Sequence, residues 1–355
     1  MYRSMNIQTV AFNKVSFVNV TSPHELEIKD LKRNFDFNPL DLEDYIHRTQ
    51  IPKIKVYKNY VLIVLDFPFF KQNGNVNGNN LHSNSSNAKE KAGKHSIATL
   101  LNIPHAALSS IPLFHFSSVN TRRILTSHVN LFIGKEYVVV LHEGVLSPVD
   151  YIFSQCQKTL RNRNNFMGQG SVFLAYRIID ALVDACFPVI NELIIMIEKI
   201  DQELENKKTQ TALEEISITR RNIVFFQTMI KPILPLFKQL EEEKYKELNS
   251  NMTSYWNNIH DHLKKIAHRL EDSRELIEGI SESNESLIAS KTNEIIKVLT
   301  IFSAIILPLN LIAGIYGMNI KVPFASHELV FIVLMIIMSL MVIILLIGFK
   351  LKRWF

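Results

Sequence analysis

Cysteine is scarce in this chain, and two long stretches lack charge altogether. Cys156 and Cys186 are the only cysteines in 355 residues; with no export signal they read as buried reduced thiols, not as a disulfide or half of a metal site. Met1 to Lys14 is mixed and polar, without the basic start and apolar stretch of a secretory signal. The body of the chain is therefore expected to stay on the side where it is made, the cytoplasm in a bacterium. No GxxxxGK[ST] loop occurs, so nothing is expected to hydrolyse nucleotide. The basic residues are scattered and no aromatic-rich motif accompanies them, so the net charge of +5 does not point to nucleic acid. No constellation of nucleophile, acid and base stands out, and the chain does not read as an enzyme.

The missing charge is the strongest signal. Residues 298–320 and 329–349 carry no charged side chain, and each stretch reaches the roughly 20 residues that a helix needs to cross the hydrocarbon of a bilayer. They read as a membrane hairpin: a first span over 298–316, a connector over 317–328 that opens on Gly317-Met318-Asn319, and a second span over 329–349. Lys291 and Lys297 precede the hairpin, and Lys350, Lys352 and Arg353 follow it in the basic tail 350–355. The connector holds only Lys321. By the positive-inside rule both ends face the cytoplasm, the connector faces out, and Trp354 suits the headgroup level. This predicts a multi-pass protein of the inner (plasma) membrane with cytoplasmic termini.

The preceding four-fifths reads as soluble sequence. Strand-like residues occupy Thr9–Val20, Lys53–Tyr57, Tyr60–Phe67, Val129–Ile133 and Tyr137–His142, with turns at Lys58-Asn59 and Gly134-Lys135. Helical patterns cover Glu25–Phe35, Leu40–His47 and Pro148–Leu160, which makes residues 1–165 a mixed α/β cytoplasmic domain. Its segment 72–93, rich in Asn, Ser, Gly and Lys, is predicted to be a disordered insertion because it buries too little surface to offset ordering entropy. Residues 171–297 change to long helical periods: Ser171–Asn206, kinked or interrupted by Pro188; Thr211–Lys246, kinked or interrupted by Pro232 and Pro235; and a third from Met252. If that third helix continues through Pro308 to Tyr316, it extends about 100 Å. Its charge-rich part, 262–278, needs neighbouring helices over its buried stripe, so it reads as the stalk of an oligomer.

Two spans cannot enclose water, so a pore requires several copies; the alternative is a plain anchor. Ile296, Leu299, Ser303, Leu307, Asn310 and Gly314 follow at three- or four-residue steps along one helix face, opposite Ile301, Ile305 and Ile312. Asn310 facing lipid is costly, which leaves an interhelical hydrogen bond or a water-filled pore as its partner. Asn293 adds a second amide off that stripe. His260 and His262 point to different sides of a helix, so they and His268 read as surface or packing residues, with a dedicated zinc or cobalt site as the minor alternative. Glu241-Glu242-Glu243 reads as a solvated helix end.

The stretch Lys291 to Asn319, KTNEIIKVLTIFSAIILPLNLIAGIYGMN, resembles the first membrane helix and GMN signature of the CorA family of divalent-cation channels. The order of α/β start, long helices, two C-terminal spans and basic tail agrees with that resemblance. It implies an α+β membrane protein whose stalk helix continues into the first span, assembled as a funnel-shaped homopentamer. It further implies a selectivity ring of Gly317, Met318 and Asn319, and a pore lined by Asn293, Ile296, Leu299, Ser303, Leu307, Asn310 and Gly314, with Leu299 and Leu307 as hydrophobic constrictions. Mg2+ parts reluctantly with its inner water shell, and neutral oxygens that hold it through water suit conduction better than carboxylates that trap it. The first function implied is a passive channel for Mg2+, with Co2+ and Ni2+ as further cargo, driven by membrane potential. The second is a zinc transporter of the same superfamily, disfavoured by Met318; the third, from another class, is a non-conducting membrane scaffold. No cofactor is implied beyond Mg2+ as transported and regulatory ion. The family's cytoplasmic sensor carboxylate falls at Asn258, with Asp261 a turn further, and its partner is expected in the α/β domain, so no regulatory ligand set is assignable. The connector departs from the family pattern: Lys321 near the mouth repels cations, though screening limits its reach to about 8–10 Å.

Overall fold

The computed structural model describes residues 6–47, 51–70, 123–205, 209–248, 251–318, 328–352 and 354. The insertion expected at 72–93, the connector from Asn319 to His327 with Lys321, and Arg353 lie outside the described residues. The chain forms two compact units, Met1–Ile277 and Glu278–Phe355.

The first unit is built on a sheet of six strands: β1 (Ile7–Phe12), β2 (Val15–Thr21), β3 (Lys53–Val56), β4 (Tyr60–Phe70), β5 (Ile124–Gly134) and β6 (Tyr137–His142), in the order β1-β2-β6-β5-β4-β3. Neighbours are antiparallel except β2 and β6, which run parallel. The stretch Thr9–Val20, which reads as continuous strand, is a hairpin: Phe12 pairs with Val15, and Asn13 takes a φ of 52° in the turn. Asn tolerates that left-handed conformation at little cost. β4 and β5 each outrun the sequence pattern because they pair along their whole length, from Tyr60 with Gly134 to Phe70 with Ile124.

Both faces of the sheet are covered, which explains strands that are apolar at consecutive positions instead of alternate ones. Helices α1 (Glu25–Asn34) and α2 (Pro39–His47) lie on one face. Ile28, Leu31, Leu42 and Tyr45 pack there against Val18, Val20, Leu62, Val64, Phe132, Val139 and Leu141, alternate residues that share a face by strand geometry. At that edge the buried Asp41 carboxylate accepts from Lys55 Nζ at 2.7 Å and from the Tyr57 hydroxyl. The bond to Asp41 holds Lys55 above its usual pKa, and burial followed by the Asp41 bond raises Tyr57.

Helices α3 (Ser147–Lys158), α4 (Leu160–Met167), α5 (Ser171–Asp184), α6 (Cys186–Glu205) and α7 (Thr209–Glu241) follow. α3 packs on β2, α5 on β5 and β6, and α6 and α7 on β4. The break between α5 and α6 falls at Ala185, and Pro188 stands in the first turn of α6, where its missing amide costs little. Pro232 and Pro235 do not interrupt α7. Their turns are held by the buried Ile230, Ile233, Phe237 and Leu240, and that packing outweighs the lost amides.

Helix α8 (Thr253–Tyr316) runs 64 residues through Pro308, in agreement with the long helix expected. In the first unit it buries Trp256, Ile259, Leu263, Ile266, Leu270, Ser273 and Ile277, a run of three- and four-residue steps that makes one stripe, apolar except at Ser273. Trp256 Nε1 donates to the Leu248 carbonyl at 3.0 Å, so the indole is buried with its polar atom satisfied. His260, also buried, meets Glu241 at the end of α7 at 2.5 Å. The second unit holds the rest of α8 and helix α9 (Glu328–Leu351), both long and apolar enough to cross a membrane, with mean hydropathies of 2.3 and 3.5 over their most apolar windows. Those windows are 6% and 0% buried, unlike the core helix of a soluble protein.

Candidate functional site

The candidate site is built on the C-terminal third of α8. At about 100° per residue, Ile296, Leu299, Ser303, Leu307, Asn310 and Gly314 fall within an arc of about 80°, whereas Ile301, Ile305 and Ile312 fall opposite. The six are exposed, with Leu299 and Leu307 at 65% and 67%, while Ile301 is 6% exposed and Ile305 and Ile312 are half-buried. Ile301 marks the one buried position on this stretch; the stripe is exposed, and so are Val298, Phe302, Ile306 and Leu311 beside it. Asn293 is also exposed and stands at the flank of the stripe.

Two further hydroxyls on this stretch are held by the helix itself. Thr292 Oγ1 donates to the Ile288 carbonyl at 2.9 Å and Thr300 Oγ1 to the Ile296 carbonyl at 2.7 Å. The Asn310 side chain has no hydrogen-bond partner among the described residues, and an amide left so in hydrocarbon costs roughly 2–7 kcal/mol. Its face must therefore meet water or another polar helix. Pro308 removes the amide that would bond the Ala304 carbonyl, two residues before Asn310.

α8 ends at Tyr316, and Gly317 closes it: its N–H donates to the Ala313 carbonyl at 2.8 Å, followed by Met318 N–H to the Ile315 carbonyl at 3.4 Å. A Cβ at Gly317 would stand 3.0 Å from the Ala313 oxygen, a close approach that favours glycine. Gly317 and Met318 thus lie directly beyond the end of the polar stripe, and Asn319 falls outside the described residues.

Comparison with known proteins accounts for this arrangement. The sequence matches the family described as CorA-like Mg2+ transporter protein over residues 12–84 and 105–353. The chain belongs to the CorA family. It is 25% identical to the cobalt/magnesium transport protein CorA of Thermotoga maritima, over 96% of this chain and 83% of that protein. Against the putative metal ion transporter YfjQ of Bacillus subtilis it is 24% identical, over 96% of this chain and 89% of that one. Its fold matches the CorA magnesium transporter of Methanocaldococcus jannaschii with a TM-score of 0.74 at 16% identity, covering 100% of both chains. Family membership and the two apolar helices together make it a membrane protein of a transporter family, which is not an enzyme class.

A second cluster in this CorA-family chain lies in the first unit. Asp180 and Asp184, one turn apart on α5, meet His262 of α8, each offering a ligand atom, all within 4.8 Å of one another. His262 Nδ1 is 3.0 Å from Asp184 Oδ1, and Asn258, one turn before His262, donates from Nδ2 to Asp180 Oδ1 at 3.3 Å. Burial, then the neighbouring Asp184 carboxylate, pushes Asp180 above its usual range, partly offset by Arg177. Two carboxylates and an imidazole can hold a divalent cation directly or through water.

Sequence reasoning separated His260 from His262, and they do engage different partners, Glu241 and Asp184. It missed the trio, because Asp180 and His262 are distant in the chain; the spacing of Asp180 and Asp184 on one helix face was the available signal. The Asn258 side chain joins α5, and Asp261 pairs with Lys264 at 3.4 Å on the exposed side.

Proposed function

We propose that the protein is a passive Mg2+ channel, also passing Co2+ and Ni2+, formed by several copies whose α8 helices surround water. The observation that carries this reading is the placement of Ser303 and Asn310 on one face of a membrane-length helix, in the stripe Ile296–Leu299–Ser303–Leu307–Asn310–Gly314 that leads without a break to Gly317 and Met318. A single α8 offers no lumen, and lipid is a poor partner for Asn310, so further copies supply both the missing wall and the water. A homopentamer fits the resemblance to the family. Asn310 and the Gly317-Met318-Asn319 ring would then present neutral oxygens to a hydrated ion, while Leu299 and Leu307 form constrictions that exclude water when narrow. The positive-inside rule gives the orientation, with both termini cytoplasmic and Gly317 outward. The transported cation is also the natural ligand of Asp180, Asp184 and His262, which would give the cytoplasmic unit a contact with the accumulated ion.

Ion flux into liposomes containing the purified protein tests this directly. Mg2+ entry driven by an inside-negative potential is expected, with at least about a tenfold loss in Asn319→Ala and in Asn310→Leu, equivalent to about 1.4 kcal/mol. Equal flux in wild type and both variants would favour a non-conducting scaffold with leak. Entry of Zn2+ with none of Mg2+ would assign the chain to zinc transport instead.

A further inference from the structure

His142, the last residue of β6, is fully buried and both of its ring nitrogens are engaged. Nδ1 faces the backbone N–H of Gly144 at 3.2 Å. A backbone amide can only donate, so Nδ1 is the acceptor and the proton of the neutral ring sits on Nε2. Nε2 in turn meets Asn19 Oδ1 at 2.9 Å, with Thr21 Oγ1 at 3.4 Å. The Asn19 amide nitrogen donates onward to Asp150 Oδ1 of α3 at 3.1 Å, and that same oxygen lies 3.6 Å from Nε2. One imidazole thus joins β2, the end of β6, the segment 143–146 and the first turn of α3.

The segment is held tightly where it leaves the sheet. Ser22 N–H donates to the His142 carbonyl at 2.7 Å and Ser22 Oγ to the Glu143 carbonyl at 2.8 Å. Gly144 takes a φ of +76°, and a Cβ there would stand 2.7 Å from Thr21 Cγ2. Only glycine tolerates both that conformation and that approach.

We propose that His142 is a proton-operated latch: a proton taken up on Nδ1 turns the acceptor of the Gly144 amide into a second donor, and segment 143–146 releases from β2. The proton comes from solvent, and no bond between heavy atoms is made or broken. Two N–H groups facing each other in a buried site lose a hydrogen bond and gain a repulsion, while rearrangement of the segment lets water or a backbone carbonyl accept from Nδ1. Asp150 is the charged group that faces the ring from α3, and Glu143 adjoins it in the chain. β2 presents the neutral Asn19 and Thr21. On β5 the paired residue is Val129, while His128 points to the other face of the sheet and pairs with Asp66 at 2.5 Å. Burial holds the imidazole below its ordinary 6.5, and the Asp150 carboxylate works in the opposite direction. The latch is accordingly closed at neutral pH and opens on the acid side.

Amide hydrogen exchange of the full-length protein in lipid nanodiscs, read on peptides covering residues 143–146 between pH 7.5 and 5 and corrected for intrinsic exchange, tests the latch. Protection is expected to be constant near neutrality and to fall by up to about tenfold per pH unit below a midpoint under 6.5. His142→Asn keeps an acceptor near the Nδ1 position without titrating, and is expected to abolish the transition. Asp150→Asn removes the carboxylate that favours the imidazolium, and is expected to move the midpoint to lower pH. Flat protection of the wild type down to pH 5, an unchanged transition in a folded His142→Asn protein, or an unmoved midpoint in Asp150→Asn would each overturn the proposal. Should His142→Asn fail to fold, the Asp150→Asn shift decides alone.

Discussion

One helix, α8, belongs to both units of this protein, and its two ends bury their side chains by different means. In the unit Met1–Ile277, Trp256, Leu263 and Leu270 are at 0% exposure, while Lys264, Lys265 and Arg269 stand on other faces. In the unit Glu278–Phe355, Leu299, Leu307 and, on α9, Phe331 are 65–73% exposed and lie within the uncharged stretches 298–320 and 329–349. The first end is amphipathic and is covered by its own chain. The second, from Val298 to Tyr316, is apolar on nearly every side, interrupted by Ser303 and Asn310, and has the composition that lipid covers. Hydrophobicity alone does not locate a core; the presence or absence of a charged counterface decides what will cover it.

That contrast sets the size of the effects that mutation should have. Trp256→Ala removes a fully buried indole and its bond to Leu248, and is expected to destabilise the first unit by about 3–5 kcal/mol in denaturant unfolding of the detergent-solubilised protein. A loss below about 1 kcal/mol would mean that the α8 stripe is not what closes that unit. Asp41→Ala should follow, at about 1–3 kcal/mol, because it strands Lys55 and Tyr57 at the sheet edge. Since Lys55 is held above its ordinary 10.5, its share of that stability is complete at neutral pH and is lost only as pH rises through the raised value. The wild type should therefore lose this margin in strong alkali and Asp41→Ala should not.

Smaller effects probe the titrating groups. Because His142 is held below 6.5 when folded, the unfolded chain takes up its proton first. Stability is then full above 6.5 and declines as pH falls toward the folded value, by at most about 1.4 kcal/mol per pH unit. Thermal unfolding across that range should show the decline in wild type and less of it in His142→Asn. For the trio, Co2+ at ten times its dissociation constant should stabilise the first unit by about 1.4 kcal/mol, and Asp184→Asn with His262→Gln should remove the gain. Protons compete for Asp180, whose pKa is raised, so that gain should shrink on acidification. Phe331→Leu on α9 is the opposite control, expected to change first-unit stability by less than about 0.5 kcal/mol.

Much of this was legible in the residue pattern, for reasons that differ by element. The spans and the length of α8 follow from composition, which needs no partner to read. The stripe through Asn310 follows from helical period, and the structure supplied the unbroken helix that carries it. Other features depend on pairing across the chain. Nothing local in Thr9–Val20 marks Asn13 as a turn except its own tolerance of positive φ. The full length of β4 and β5 rests on their mutual register, and the Asp180–Asp184–His262 and Asn19–His142–Asp150 groups join residues 78 and more than 100 positions apart.

By itself the sequence determined where the long helical stretches run, which two are apolar enough for hydrocarbon, and which helix face carries amides; the helix Leu160–Met167 and the break at Ala185 were not in it. Period, charge and apolar length are properties of a segment alone. Tertiary structure alone decided which polar side chains meet, and hence which imidazole is neutral, which carboxylate is hard to ionise and where three ligand atoms converge. Those outcomes depend on distance and desolvation between residues far apart in the chain, and neither quantity exists until the sheet and its covering helices have closed.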